Sequence, residues 1–202
     1  MRRRPVLSTT RTAQVFREMV SLRRDYRQDG TFFRMSEFWE DLCENSDEWT
    51  IKPYKSGETE DFKRKAGVVA LGDRVTLTVD SKLMDKAKSG CALSNFILAH
   101  EVGHLGLDHF ARSSMTKNFQ LFSGPSGAVN APPTLEELEA NYAAVFFQCG
   151  PSLLDKNLDG LQLARQAFSD VYYVRKLQRL VQLDAFKNEL YRQQRVSERV
   201  VL

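Results

Sequence analysis

The chain has 202 residues, 42% of them apolar and 27% charged, which is the balance of a globular protein with enough length for one well-packed core. A net charge of +3 is too small to imply a nucleic-acid partner, and no apolar run approaches the ~20 residues that span a bilayer. Arg2 to Arg4 could open a signal peptide, but Pro5 to Gln14 is polar and supplies no apolar core. Cys43, Cys91 and Cys149 are odd in number and far apart, which argues against a disulfide framework and for a reducing compartment. A cytoplasmic protein without a membrane partner is expected. The charge is uneven, with basic ends and an acidic stretch from Glu37 to Asp61, a pattern that reads as solvated faces and tails.

In chain order, Val15, Phe16, Met19 and Leu22 fall at helical spacing and predict a helix over about Thr10–Arg27. A second helix is expected from Ser36, burying Phe38, Trp39 and Leu42. Asp47 to Lys65 is polar and reads as loop. Val68-Val69-Ala70, a turn at Leu71-Gly72-Asp73, and the alternating Val75 to Val79 read as a hairpin with one buried face. A helix over about Cys91–Leu107 follows, with Ser89-Gly90 leading into it. Ala111 to Pro133 has no period, and a loop of that length is a candidate for gripping a substrate. Thr134 to Gln148 predicts a further helix ended by Gly150-Pro151, and helices near Leu161–Phe168 and Val171–Leu183 complete the pattern. The expected division is an N-terminal helical extension (1–46), a core (47–151), and a C-terminal helical segment with a basic tail (152–202).

The chemistry concentrates in His100-Glu101-Val102-Gly103-His104. Two histidines four apart on a helix share one face, so both imidazoles can reach one zinc ion, and Glu101 stands beside them to take a proton from water. The surrounding helix is otherwise apolar, so these groups are costly there unless something satisfies them. Gly103 carries no side chain and permits close approach by another element.

A third ligand must come from elsewhere. His109 is out of register for the three-histidine zincin pattern, which would need Gly at 107 and His at 110. On a continuing helix it would lie about 140° round from His104. The helix after Pro132-Pro133 offers Glu136, Glu137 and Glu139. Thr134 with Glu137 forms a capping box, which gives Glu137 a structural task, and Glu136 suits the helix dipole. Glu139 shares a stripe with Ala143, Phe146 and Phe147, where a carboxylate needs a cation, and is therefore the expected ligand; the alternative is a plain surface glutamate. Asp108 is a candidate partner for an imidazole. Asn141, Tyr142, Tyr172 and Tyr173 are candidates for stabilising an oxyanion, with none preferred.

At these residues the chain resembles the ImmA/IrrE family of metallopeptidases. Asn95-Phe96-Ile97-Leu98-Ala99-His100-Glu101-Val102-Gly103-His104 is similar to the family's Arg-Phe-Thr-Leu-Ala-His-Glu-Leu-Gly-His, and Leu107-Asp108-His109 to its trailing Leu-x-His. Glu139-Ala140-Asn141-Tyr142-Ala143-Ala144 is similar to the Glu-Ala-Asn-x-Phe-Ala whose Glu is the third zinc ligand. The likeness spans about Val68 to Pro151. It departs where Phe147-Gln148-Cys149-Gly150-Pro151 replaces Leu-Leu-Met-Pro, and it covers nothing before Asp47.

The resemblance implies an α+β fold with a thermolysin-like zincin core and a small, mainly antiparallel sheet. It also implies an endopeptidase that cleaves a helix-turn-helix repressor and so induces stress-response or mobile-element genes. The expected site is zinc on His100, His104 and Glu139, with Glu101 as catalytic base. Two rivals are a zinc-binding antirepressor acting by association and a DNA-binding module on the Leu161–Leu183 helices. The second rests only on Arg175, Lys176 and Arg179 and lacks a base-reading motif, so direct nucleic-acid binding is not expected.

Overall fold

The computed structural model describes residues 6–55, 66–109 and 134–200. The region 111–133 expected to grip substrate lies outside the described residues. Among the described residues the fold is α+β, with eight α-helices and a three-stranded sheet.

Helix α1 (Thr9–Tyr26) starts at Ser8, whose hydroxyl accepts from the Arg11 N–H at 3.2 Å. Its buried residues Thr12, Ala13, Val15, Phe16, Met19, Val20 and Arg23 recur at three- and four-residue steps, so one stripe faces inward. Helix α2 (Met35–Asn45) buries Phe38 and Trp39, and the Trp39 indole N–H donates to the Leu98 carbonyl at 3.3 Å.

The strands are β1 (Trp49–Tyr54), β2 (Ala66–Leu71) and β3 (Arg74–Asp80), in the order β1-β3-β2. β2 and β3 form the expected hairpin, with Val75, Leu77 and Val79 buried on one face. β1 corrects the reading of Asp47 to Lys65 as loop throughout. It pairs parallel with β3, so the sheet is mixed rather than mainly antiparallel. β1 is an edge strand with no fully buried residue, which explains both its weak sequence signal and its tolerance of Pro53.

Asp80 then caps a short helix α3 (Ser81–Lys88) that was not expected, its carboxylate accepting from the Lys82 N–H at 2.8 Å. Helix α4 (Ala92–Gly106) is buried continuously from Ser94 to His104. The buried Asn95 side chain fixes its start: its Oδ1 accepts from the Met35 N–H at 2.6 Å, and its Nδ2 donates to the Ala87 carbonyl at 2.9 Å. One amide thus ties α2 and α3 to α4.

Helix α5 (Leu135–Cys149) starts at Thr134, whose hydroxyl accepts from the Glu137 N–H at 3.2 Å. It packs along α4 where Gly103 faces Ala140 and Ala143. A Cβ at position 103 would stand 2.9 Å from both the Ala140 carbonyl oxygen and the Ala143 Cβ. The absence of a side chain therefore sets how closely the two helices approach.

Beyond a 3₁₀ turn at Gly150–Leu154 come α6 (Gly160–Gln166), α7 (Val171–Val181) and α8 (Asp184–Val200). The expected tail is thus helical, and α8 returns to pack on α1, with Phe186 edge-on to Phe16 at 5.8 Å. The buried Arg23 ties α1 to the end of α5, donating to the carbonyls of Phe147 (2.8 Å), Gln148 (3.1 Å) and Thr31. Gly150 sits against it with φ 55°, where an added Cβ would lie 2.7 Å from the Arg23 side chain. Residues of α1, α2, the sheet, α4, α5, α7 and α8 contribute to one continuous apolar core.

Candidate metal centre

His100, Glu101 and His104 are completely buried on α4. The helix stacks the two imidazoles so that their Nε2 atoms are 2.9 Å apart. In each ring the other nitrogen is engaged. His100 Nδ1 is 3.1 Å from Asn141 Oδ1 on α5, so as the N–H it donates to the amide oxygen and leaves Nε2 with a lone pair. His104 Nδ1 is 2.8 Å from His109 Nδ1.

The carboxylate brought to this pair is that of Glu137. Its Oε2 is 3.3 Å from His100 Nε2 and its Oε1 3.8 Å from His104 Nε2. Ligating atoms of His100, His104 and Glu137 all lie within 4.8 Å of one another, close enough to surround one ion. Glu139, expected in this role, stands elsewhere. Two positions along a helix is a rotation of about 200°, and its carboxylate meets Arg11 of α1 in a two-pronged pair, Nε to Oε1 at 2.9 Å and Nη2 to Oε2 at 2.6 Å. Glu139 Oε2 also accepts from His109 Nε2 at 3.1 Å. The cation that this part-buried carboxylate needed is a guanidinium. Burial would raise the Glu139 carboxyl, but hydrogen bonds from Arg11 and His109 and their charges outweigh it, and its pKa is lowered.

His109 reaches His104 because α4 does not continue. It stops at Gly106, and Asp108 takes a left-handed conformation with φ 53°. The Asp108 N–H then bonds the Leu105 carbonyl at 3.0 Å and the His109 N–H bonds the His104 carbonyl at 3.1 Å, the pairing of a Schellman cap. This turn brings the His109 ring beside His104. Asp108, a candidate partner for an imidazole, is exposed and contributes its backbone conformation to that turn.

Glu101 lies on the sheet side. Its Oε2 accepts from the Val68 N–H of β2 at 3.0 Å, while its buried Oε1 has no hydrogen-bond partner. Burial pushes its pKa up to about 7, helped by the nearby Glu137 charge and opposed by His100 and the Val68 hydrogen bond. Glu137 Oε1 is likewise buried and without a hydrogen-bond partner. A buried Glu137 oxygen without a hydrogen-bond partner beside two facing ring nitrogens is unfavourable without a cation, and two imidazoles with one carboxylate are a donor set that metal ions such as zinc take. The residues fit such an ion.

Of the oxyanion candidates, Asn141 is committed to His100, Tyr142 is buried with the Lys176 ammonium 5.1 Å from its ring centroid, and Tyr173 stacks on Phe96 at 5.3 Å. Tyr172 is exposed. The signal for Glu137 was present in the sequence: it is four residues before Asn141, so both lie on one face and reach the same imidazole. No helix among the described residues is long and apolar enough to cross a membrane. Comparison with protein-family models, with curated proteins and with solved structures gave no match.

Proposed function

We propose that the chain is a zinc-dependent endopeptidase of zincin type, with zinc held by His100, His104 and Glu137 and with Glu101 as general base. The observation that carries the reading is the buried pair of Nε2 atoms, 2.9 Å apart, facing a carboxylate oxygen that has no hydrogen-bond partner. Zinc in such a site supplies a Lewis acid for a peptide carbonyl and lowers the pKa of water towards ~7. Glu101 accepts the water proton on its unsatisfied Oε1 and delivers it to the leaving nitrogen. Its Oε2 bond to Val68 holds the carboxylate in one orientation throughout. Asn141 keeps the His100 proton on Nδ1, so that Nε2 stays a ligand.

The resemblance to the ImmA/IrrE metallopeptidases supports a helix-turn-helix repressor as substrate, and the three free cysteines suit the cytoplasm. The test is to incubate zinc-loaded protein with repressors encoded beside its gene and to follow fragments by mass spectrometry. Cleavage at one site by wild type but not by Glu101→Gln is expected. Binding of a repressor by both forms with no cleavage by either would make the protein an antirepressor instead.

A further inference from the structure

Four side chains form an unbroken chain of contacts that ends on one zinc ligand: Arg11, Glu139, His109 and His104. We infer that His109 and Glu139, anchored by Arg11 of the N-terminal helix, are positioning residues that fix the tautomer and orientation of His104 and thereby set the affinity of the metal site. The inference rests on the zinc reading above and concerns residues that hold a ligand without touching the ion.

The proton positions follow from the partners. Glu139, clamped by the Arg11 guanidinium, can only accept, so the 3.1 Å contact requires the proton on His109 Nε2. The two Nδ1 atoms of His109 and His104 are 2.8 Å apart and share one proton between them. For His104 to ligate through Nε2, that proton belongs to His104 Nδ1, and His109 Nδ1 is the acceptor. Every bond then runs one way, from His104 through His109 to a carboxylate, and Nε2 of His104, 2.9 Å from His100 Nε2, carries the lone pair rather than the proton. His109 is 1% exposed, so water does not compete for its ring nitrogens. Carboxylate partners of metal-binding imidazoles commonly act this way; here a second imidazole is inserted between them, and the anchor comes from a residue 128 positions away in sequence.

Zinc affinity would be measured by chelator competition at constant pH, beside cobalt(II) absorption spectra and circular dichroism, on the full chain. His109→Leu and Glu139→Gln should weaken zinc by about 10- to 100-fold while the cobalt spectrum keeps the intensity of a four-coordinate site. Arg11→Met should weaken it less. His109→Asn keeps an acceptor oxygen near the former Nδ1 and should recover most of the affinity lost in His109→Leu, which a purely space-filling role would not predict. In zinc-loaded wild type, nitrogen NMR should show His104 protonated at Nδ1. Unchanged affinity in His109→Leu and Glu139→Gln would overturn the relay and leave the metal centre standing. A Glu139→Gln variant that loses zinc as completely as His100→Ala, with an altered cobalt spectrum, would overturn it by making Glu139 a ligand. Failure of wild type to bind zinc more tightly than His100→Ala would overturn the metal reading itself.

Discussion

Glu137 and Asn141 stand one turn apart on α5 and meet the same ring from its two ends, Asn141 Oδ1 at His100 Nδ1 (3.1 Å) and Glu137 Oε2 near His100 Nε2 (3.3 Å). One helix thus orients an imidazole on α4 and supplies a carboxylate to complete its site. The spacing that achieves this depends on Gly103, because the two helices touch where it faces Ala140 and Ala143.

Glu137→Ala should lose stoichiometric zinc, as should His100→Ala and His104→Ala, because a four-coordinate site missing one protein ligand no longer retains the ion tightly. Metal analysis after dialysis checks this. Removing zinc from wild type with a chelator should lower Tm, and restoring it should reverse the change, since the ion binds only the folded state. The three ligand variants should show no such shift.

Glu101→Gln should keep zinc and lower the cleavage rate by about 10²- to 10⁴-fold, the range for loss of a general base. Metal content and single-turnover cleavage of a repressor substrate separate the two effects. A variant retaining near wild-type cleavage would remove Glu101 from the chemistry.

Gly103→Ala should destabilise the protein by about 1–3 kcal/mol, since the added Cβ would stand 2.9 Å from a backbone oxygen and from the Ala143 Cβ. That strain outweighs the helix-propensity gain of ~1 kcal/mol from replacing glycine. Urea unfolding of the metal-free protein measures it. Zinc affinity should fall as well, because Glu137 and Asn141 move with α5.

At the end of α4, Asp108→Val should cost about 1–3 kcal/mol, because a β-branched residue resists a φ of 53°. Asp108→Gly should be neutral or stabilising. The Val variant should also weaken zinc, because the turn at Asp108 delivers His109 to His104. Equal zinc affinity in the two variants would separate the turn from the site.

Burial pushes the Cys149 thiol up to about 12 against the influence of the nearby Arg23 charge. An unfolded chain ionises this thiol from about pH 8.5, so its contribution is fully present below that pH. It is lost progressively as pH rises towards the folded value. Between pH 8 and 10 the metal-free protein should lose roughly 2 kcal/mol from this group, at ~1.36 kcal/mol per unit. Urea midpoints should drop across that range, and the drop should be shallower in Cys149→Ala, whatever the cost of the cavity it leaves.

The parts of this fold that the sequence made legible are those where burial is periodic. The inward stripe of α1, the alternation of β3, and the buried α4 with its two histidines all follow from spacing. β1 was hidden because a half-buried edge strand carrying Lys52 and Pro53 has no apolar alternation to display. α8 was hidden because its charged residues mask the few that pack, Phe186 among them. That Glu137 rather than Glu139 stands beside His100 and His104 has a different origin. Burial correctly implied that Glu139 needs a cation, but whether that cation is an ion or Arg11 depends on where α1 lies, and no local pattern encodes that. His109 is out of register for a three-histidine site and on a continuing helix would point away from His104; the turn at Asp108 instead brings its ring beside His104.

The contact between Arg11 and Glu139 spans 128 residues, and that between Arg23 and Phe147 spans 124. Pairings so distant along the chain carry a loop-closure cost and slow the folding that depends on them. During synthesis the helix bearing His100 and His104 leaves the ribosome well before the one bearing Glu137. A nascent chain therefore holds His100, His104 and Arg11 before it holds either Glu137 or Glu139. Under the proposed function, hydrolytic capacity would arise only once the fifth helix has packed on the fourth, so the chain would pass through its synthesis as an inert precursor of itself.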